Sequence, residues 1–366
     1  MFCCVFKPHR RRFATPQGAS SIANRAVESI TELHSARRRQ LLVESFNSVP
    51  IRMLAVIVLY RMDPQDSISF QTLEAARKNA PAGKLSLKLF FYDNTPGGQT
   101  SAESPEGSSY ESPGENRGLA AAYNRALEIA HQEGYDWLLT LDQDTQLPID
   151  FLSKIGDTAA FVSTLKQVAV IVPTIYDSGV LISPNAGSYT AFPKKFPEGF
   201  VGISLENSTS AVNSASMFKV SALRSVGGYD PRFWLDYSDA VMYHRLQSNG
   251  LRVFVAGNIC VEHELSVQDM KHRVPLERYE AILGAESAYC DECMGRAADV
   301  QLLVKFLYRS FYKFWGRGGS LAYSRIAFRF LCRRLFYTRK HRMETWERSV
   351  KCRLASSEHE REPMQS

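Results

Sequence analysis

Met53-Leu54-Ala55-Val56-Ile57-Val58-Leu59-Tyr60 is an uncharged, β-branched run of eight residues in a chain of 366. A run with no polar alternation suits a strand buried on both faces, the situation inside a parallel sheet. The pattern downstream alternates strand and helix. Ser67–Asn79 reads as an amphipathic helix and Leu85–Tyr92 as a second strand ending in Asp93-Asn94. Gly118–Glu133 reads as a helix, Trp137–Leu141 as a third strand and Val168–Pro173 as a fourth. Ala211–Lys219 and Val253–Ala256 are further strand candidates, with a helix over Asp239–Ser248 between them. This alternation predicts an α/β fold with a mainly parallel sheet and helices on both faces. Thr95 to Gly118, rich in Gly, Pro and Ser, is expected to be a long loop.

Composition narrows the classes. Hydrophobic residues make up 45% and charged residues 22%, which excludes a disordered chain, a collagen-like repeat and a small disulfide-stapled module. No apolar run approaches the ~18 residues a membrane helix needs. Seven cysteines are too few for a disulfide framework. Cys290-Asp291-Glu292-Cys293 has no second ligand pair at zinc spacing, so reduced thiols are expected.

Charge is distributed unevenly behind a net +6. Val300 to Met343 holds eleven Lys and Arg and no acid. Within it Lys305, Arg309 and Lys313, and then Arg325, Arg329 and Arg333, recur every fourth residue among Phe, Leu and Trp. A basic stripe with aromatic neighbours suits an anionic membrane surface. It suits equally a solvated face on helices packed against the main domain. Residues 1–52 carry Arg10-Arg11-Arg12 and Arg37-Arg38-Arg39 and read as a basic, disordered extension, although Ile22–Val43 is compatible with a helix. Translation starting at Met53 is one expectation for this segment.

In open α/β sheets ligands bind beyond the C-terminal strand ends. Tyr60, Asp93 and Asp142-Gln143-Asp144 all fall there. Two carboxylates two residues apart can reach a hard divalent cation and a sugar hydroxyl together, although such a pair can also be merely a solvated turn. Asp236-Tyr237-Ser238-Asp239 follows glycine and proline punctuation at a helix start. There the acids serve either as caps or as a general base. His263, between Glu262 and Glu264, is either a surface charge pair or a phosphate or metal contact.

The order of these segments resembles family 2 glycosyltransferases of the GT-A fold, nearest their rhamnosyltransferase-like branch. The stretches carrying the resemblance are Ala55–Tyr60, Phe91–Thr95, Asn116-Arg117-Gly118-Leu119-Ala120-Ala121-Ala122-Tyr123-Asn124, Leu139–Thr145 and Gly227–Arg245, with His263. The resemblance implies that Tyr60 and Asp93 hold the base and ribose of a nucleotide, and that Asn116 and Asn124 lie beside the nucleotide sugar. It implies Asp144 as ligand of Mg²⁺ or Mn²⁺, Asp142 facing the sugar or ribose, His263 near the diphosphate and Asp239 as the catalytic base. The implied activity is inverting transfer of a sugar, with rhamnose a candidate, from a nucleotide-diphosphate donor to a saccharide or lipid-linked acceptor in cell-surface polysaccharide synthesis. The branch usually has a further acid where this chain has Val241, and Thr95–Pro113 has no counterpart.

The expected organisation is therefore an extension at 1–52, a GT-A domain at 53–265, a helical basic-aromatic region at 266–345 and a polar tail at 346–366. A cytoplasmic enzyme, peripheral on the inner face of the membrane, fits that organisation. The alternative is a non-catalytic GT-A-like binding protein, or a nucleic-acid binder using the basic C-terminal region. Asp142, Asp144 and Asp239 together point to catalysis, and no nucleic-acid partner is expected.

Overall fold

The computed structural model describes residues 50–99, 105–187, 194–205, 209–263, 274–315 and 320–359. Pro50–Ser366 clusters as one compact unit. The expectations for residues 1–49, including the Ile22–Val43 helix, lie outside the described residues.

Strand β1 (Ile51–Leu59) pairs in parallel with β2 (Leu85–Asp93) on one side and with β4 (Trp137–Asp142) on the other. Its odd positions Met53, Ala55, Ile57 and Leu59 join one hydrophobic core, with Leu73 of helix α1 (Ile68–Asn79) and Phe151 and Ile155 of α3 (Phe151–Ser163). Its even positions Leu54, Val56 and Val58 join the other. There they meet Ala122, Tyr123 and Ala126 of α2 (Gly118–Gln132), Leu223 of α4 (Val220–Ser225) and Met242 of α5 (Ser238–Ser248). Alternation of Cβ direction along a strand sends an uninterrupted apolar run into both layers at once. The strand starts before Met53: Ile51 pairs with Leu85, and the guanidinium of Arg52 donates to the Glu133 carbonyl at 2.8 Å.

The sheet order is β3-β2-β1-β4-β11-β5-β12-β9, where β3 is Ser108–Glu111, β5 Val168–Asp177, β9 Val201–Ile203, β11 Ser216–Lys219 and β12 Arg252–Glu262. Only β11 and β9 run antiparallel within that order, and β6 (Val180–Ser183) adds antiparallel to β5. Short strands β7 (Asn185–Ala186), β8 (Lys194–Lys195) and β10 (Thr209–Ser210) form a separate small sheet.

Two sequence expectations need correction. Thr95–Gly118 is not all loop, because Ser108–Glu111 adds a parallel edge strand to β2. Tyr110 fastens that strand: its hydroxyl donates to the Asp93 carboxylate at 2.6 Å. The long strand expected at Ala211–Lys219 shrinks to Ser216–Lys219. Helix α3 follows Pro148 within a stretch that strand-and-helix patterning had left unassigned.

The C-terminal region is helical, as expected: α6 (Leu276–Cys293), α7 (Arg296–Trp315), α8 (Leu321–Phe336) and α9 (Arg339–His359). Helix α9 continues through residues expected to form a polar tail. Trp346 packs on Phe233 with ring centroids 4.7 Å apart, and Val350 is buried. Packing of Trp346 and burial of Val350 explain why α9 forms despite its polar composition.

Candidate active site

The register of the sheet brings the strand-end residues together. Leu59 lies opposite Asp93, and Val58 lies opposite Asp142. Tyr60, Asp93 and Asp142 therefore stand side by side on one rim. Tyr60 is exposed, and its backbone N–H donates to Gln143 Oε1 at 2.8 Å.

The Asp142–Thr145 turn is held by residues that sequence spacing could not pair with it. Ser67 and Ser69, at the start of α1, donate hydroxyl protons to the carbonyls of Gln143 (2.8 Å) and Thr145 (3.0 Å). Ser214 accepts the Asp142 N–H at 3.1 Å. The phenol of Tyr123 donates to Asp142 Oδ1 at 3.1 Å. With its backbone fixed, the turn presents two partly exposed carboxylates, Asp142 at 30% and Asp144 at 46% side-chain exposure. The buried His263 lies between them, Nε2 3.5 Å from Asp142 and Nδ1 3.4 Å from Asp144. Its Nδ1 also lies 3.2 Å from Thr145 Oγ1. His263 reaches this position because β12 ends at Glu262 and its own N–H bonds the Tyr176 carbonyl on β5.

Asp239 opens α5 and is half-buried. The Tyr123 phenol is held well above its usual value by burial first, then by the charges of Asp142 and Asp239. Burial, followed by charges that include both of these carboxylates, does the same to Tyr229. Asp236 is instead directed toward Arg278, 3.6 Å away, and a cavity of about 180 Å³ between Trp234 and helices α6 and α9. Burial raises its carboxyl pKa against the lowering effect of Arg278.

Two expected contact residues are occupied by the fold. Asp93 is fully buried, and its oxygens accept from Thr95 N–H (2.9 Å), Thr95 Oγ1 (2.5 Å), Gln99 Nε2 (3.1 Å) and Tyr110 OH (2.6 Å). Asn124 uses both ends of its amide on the Tyr229 backbone, donating at 2.9 Å and accepting at 2.8 Å. Asn116 accepts from the Gly118 N–H at 3.0 Å and remains partly exposed beside the N-terminus of α2.

Val241 stands where the resembling branch has an acid. It is 2% exposed, in a cluster with Ala285, Ala288 and Tyr289 of α6. A carboxylate there would be buried without a partner at a large desolvation cost.

Residues 98–226, about a third of the chain, match the sequence model described as Glycosyl transferase family 2. No curated protein gives a sequence match. Among solved structures, GalNAc-T7 with UDP, GalNAc and Mn²⁺ aligns over 81% of this chain and 56% of its own, at 12% identity and a TM-score of 0.48. The chain thus spans little more than half of that protein. S. aureus TarS 1–349 in complex with UDP aligns over 83% and 91%, at 13% identity and a TM-score of 0.45. Both alignments are loose, at TM-scores below 0.5.

Proposed function

We propose that the protein moves a sugar from a nucleotide-diphosphate donor to a saccharide or lipid-linked acceptor by a single inverting displacement. The observation that carries this reading is the gathering of Asp142, Asp144 and His263 at the C-terminal strand ends, with the Tyr123 phenol donating to Asp142.

Asp239 takes the proton of the acceptor hydroxyl, and a positioned carboxylate contributes typically ~10²–10⁴-fold. Asp142 faces the donor sugar or ribose, and Asn116 borders it at the start of α2. Tyr60 supports the base. Asp93 supports the ribose through the wall it forms with Thr95 and Tyr110, and Asn124 fixes the Gly227–Asp230 turn behind the site.

Among the described residues no three His, Cys, Asp or Glu form a metal-binding group. Two adjacent, partly exposed carboxylates nonetheless fit Mg²⁺ or Mn²⁺, since Mg²⁺ is commonly held by one or two carboxylates plus substrate phosphates and waters. Asp144 would be the protein ligand, with His263 beside the diphosphate. When bound, such a cation would supply Lewis-acid stabilisation to a leaving diphosphate.

A screen of nucleotide sugars, dTDP-rhamnose included, with Mg²⁺ or Mn²⁺ tests the reading. The expected result is turnover of one donor, abolished in Asp144→Ala and reduced at least ~100-fold in Asp239→Asn. Failure to turn over any donor, or unchanged turnover in both variants, would sink it.

We also propose an anionic membrane surface as partner of the helical region. Among the described residues no helix is long and apolar enough to cross a membrane. Helix α7 nonetheless exposes Val300, Val304, Leu307, Tyr308 and Phe311 at helical spacing, and Phe311 meets the exposed Phe328 of α8 beside Arg325 and Arg329. An apolar stripe edged with arginine suits docking at the headgroup level.

A further inference from the structure

The segment that aims Asp239 is anchored from outside the catalytic sheet. Tyr237 is in the left-handed region, at φ 65°, immediately before α5. A non-glycine residue holds that conformation only when its surroundings over-determine it. Those surroundings come from the C-terminal helices. The Tyr237 ring packs against Tyr289 of α6 with centroids 5.6 Å apart, and it contacts clusters built from α6, α7 and α8. Its phenol is held well above its usual pKa, by burial first and then by the charge of Glu286. Glu286 is 4% exposed and is clamped by Lys305 and Arg309, both from α7.

We propose that Glu286 and Tyr237 are positioning residues for the base. The ion-paired Glu286 fixes the Tyr237 hydroxyl, Tyr237 fixes the left-handed turn, and the turn sets the direction in which Asp239 leaves the first turn of α5. The catalytic half of this proposal rests on Asp239 being the base; the mechanical half does not. The two cations keep Glu286 ionised, with its pKa held down to about 2 against the opposing effect of burial, so the acceptor for the phenol persists through the neutral range.

Two readouts on the full chain separate the halves. Tyr237→Phe keeps the ring and removes only the hydroxyl; Glu286→Gln removes the charge and keeps the shape. Amide hydrogen exchange needs no substrate. Peptides covering residues 236–241 should exchange at least about tenfold faster in Tyr237→Phe, while peptides covering β4 stay unchanged. Equal exchange in the wild type and Tyr237→Phe overturns the coupling, whether or not Glu286→Gln folds. With the nucleotide sugar found in the donor screen, kcat should fall about tenfold in Tyr237→Phe, donor KM should stay within about twofold, and the acid limb of the kcat–pH profile should move. Unchanged kcat, or a loss confined to KM, overturns the positioning role. Wild-type turnover by Asp239→Asn would instead overturn the base assignment and the catalytic half with it, while the exchange result would still decide the mechanical half.

Discussion

Gly118 has φ 76°, and a Cβ built on it would sit 2.2 Å from the Trp234 carbonyl oxygen. That oxygen is already accepting the Ala120 N–H at 3.0 Å. The first turn of α2 and the segment leading to Asp236 and Asp239 therefore touch backbone to backbone, and only glycine permits it. Gly118→Ala should cost roughly 1–2 kcal/mol for the left-handed backbone and ~1–3 more for the overlap. A chemical-denaturation midpoint measures the loss, and wild-type stability would contradict the close approach. At this scale the sequence was partly legible. The acids at 142, 144 and 239 could be picked out because each follows a local signal, the end of an apolar run or glycine-proline punctuation. Ser67, Ser69, Tyr123 and Ser214 could not, since they meet the Asp142–Thr145 turn from 19 to 76 positions away. Asn124 could be picked out, but its clamp on Tyr229, 105 positions distant, is invisible to spacing.

Among the elements, α6 does the most to reinterpret the sequence. Its acids lie outside the acid-free stretch but face it. Glu286 takes Lys305 and Arg309, Glu280 takes Arg329 at 3.0 Å, and Asp291 takes Arg334 at 3.0 Å and Arg342 at 2.6 Å. Much of the basic stripe is thus neutralised inside the helical region, in keeping with charges on packed helices. Arg334 is the most enclosed, with 2% of its side chain exposed against 1% for Asp291. Arg334→Met should destabilise the protein by roughly 3–5 kcal/mol, because it strips a partner from a buried carboxylate. Arg342 retains part of that carboxylate's charge compensation, so the low end of the range is expected. A thermal midpoint within one degree of wild type would show that Arg342 suffices alone. Cys290 and Cys293 are free thiols on the same helix, pushed up by burial to about 11 and about 12, which leaves them protonated at neutral pH.

For the molecule as a whole, the charge left over after these pairings bears on location. Arg325 is exposed beside Phe311, Leu321 and Phe328, and Val300, Val304 and Leu307 are exposed on the same helix as Phe311. Full-length protein should co-sediment with vesicles containing phosphatidylserine and much less with phosphatidylcholine alone. A Phe311→Glu, Phe328→Glu double variant should lose most of that binding while keeping its fold. Equal pelleting with both vesicle types would refute the electrostatic contribution, and concentration-dependent dimerisation removed by the same variant would identify a second copy as the occupant.

The sequence by itself determined the α/β architecture and the rim on which the acids stand. Two-sided burial demands a continuous apolar run, and the end of such a run marks the end of a strand, so both are written locally. Tertiary structure alone decided how that rim is furnished. It enclosed Asp93, set His263 between Asp142 and Asp144, buried Val241 against α6 and packed Tyr237 on Tyr289. Each of these depends on groups far apart in the chain whose meeting is fixed by strand order and helix packing, and neither quantity is carried by residue type or spacing.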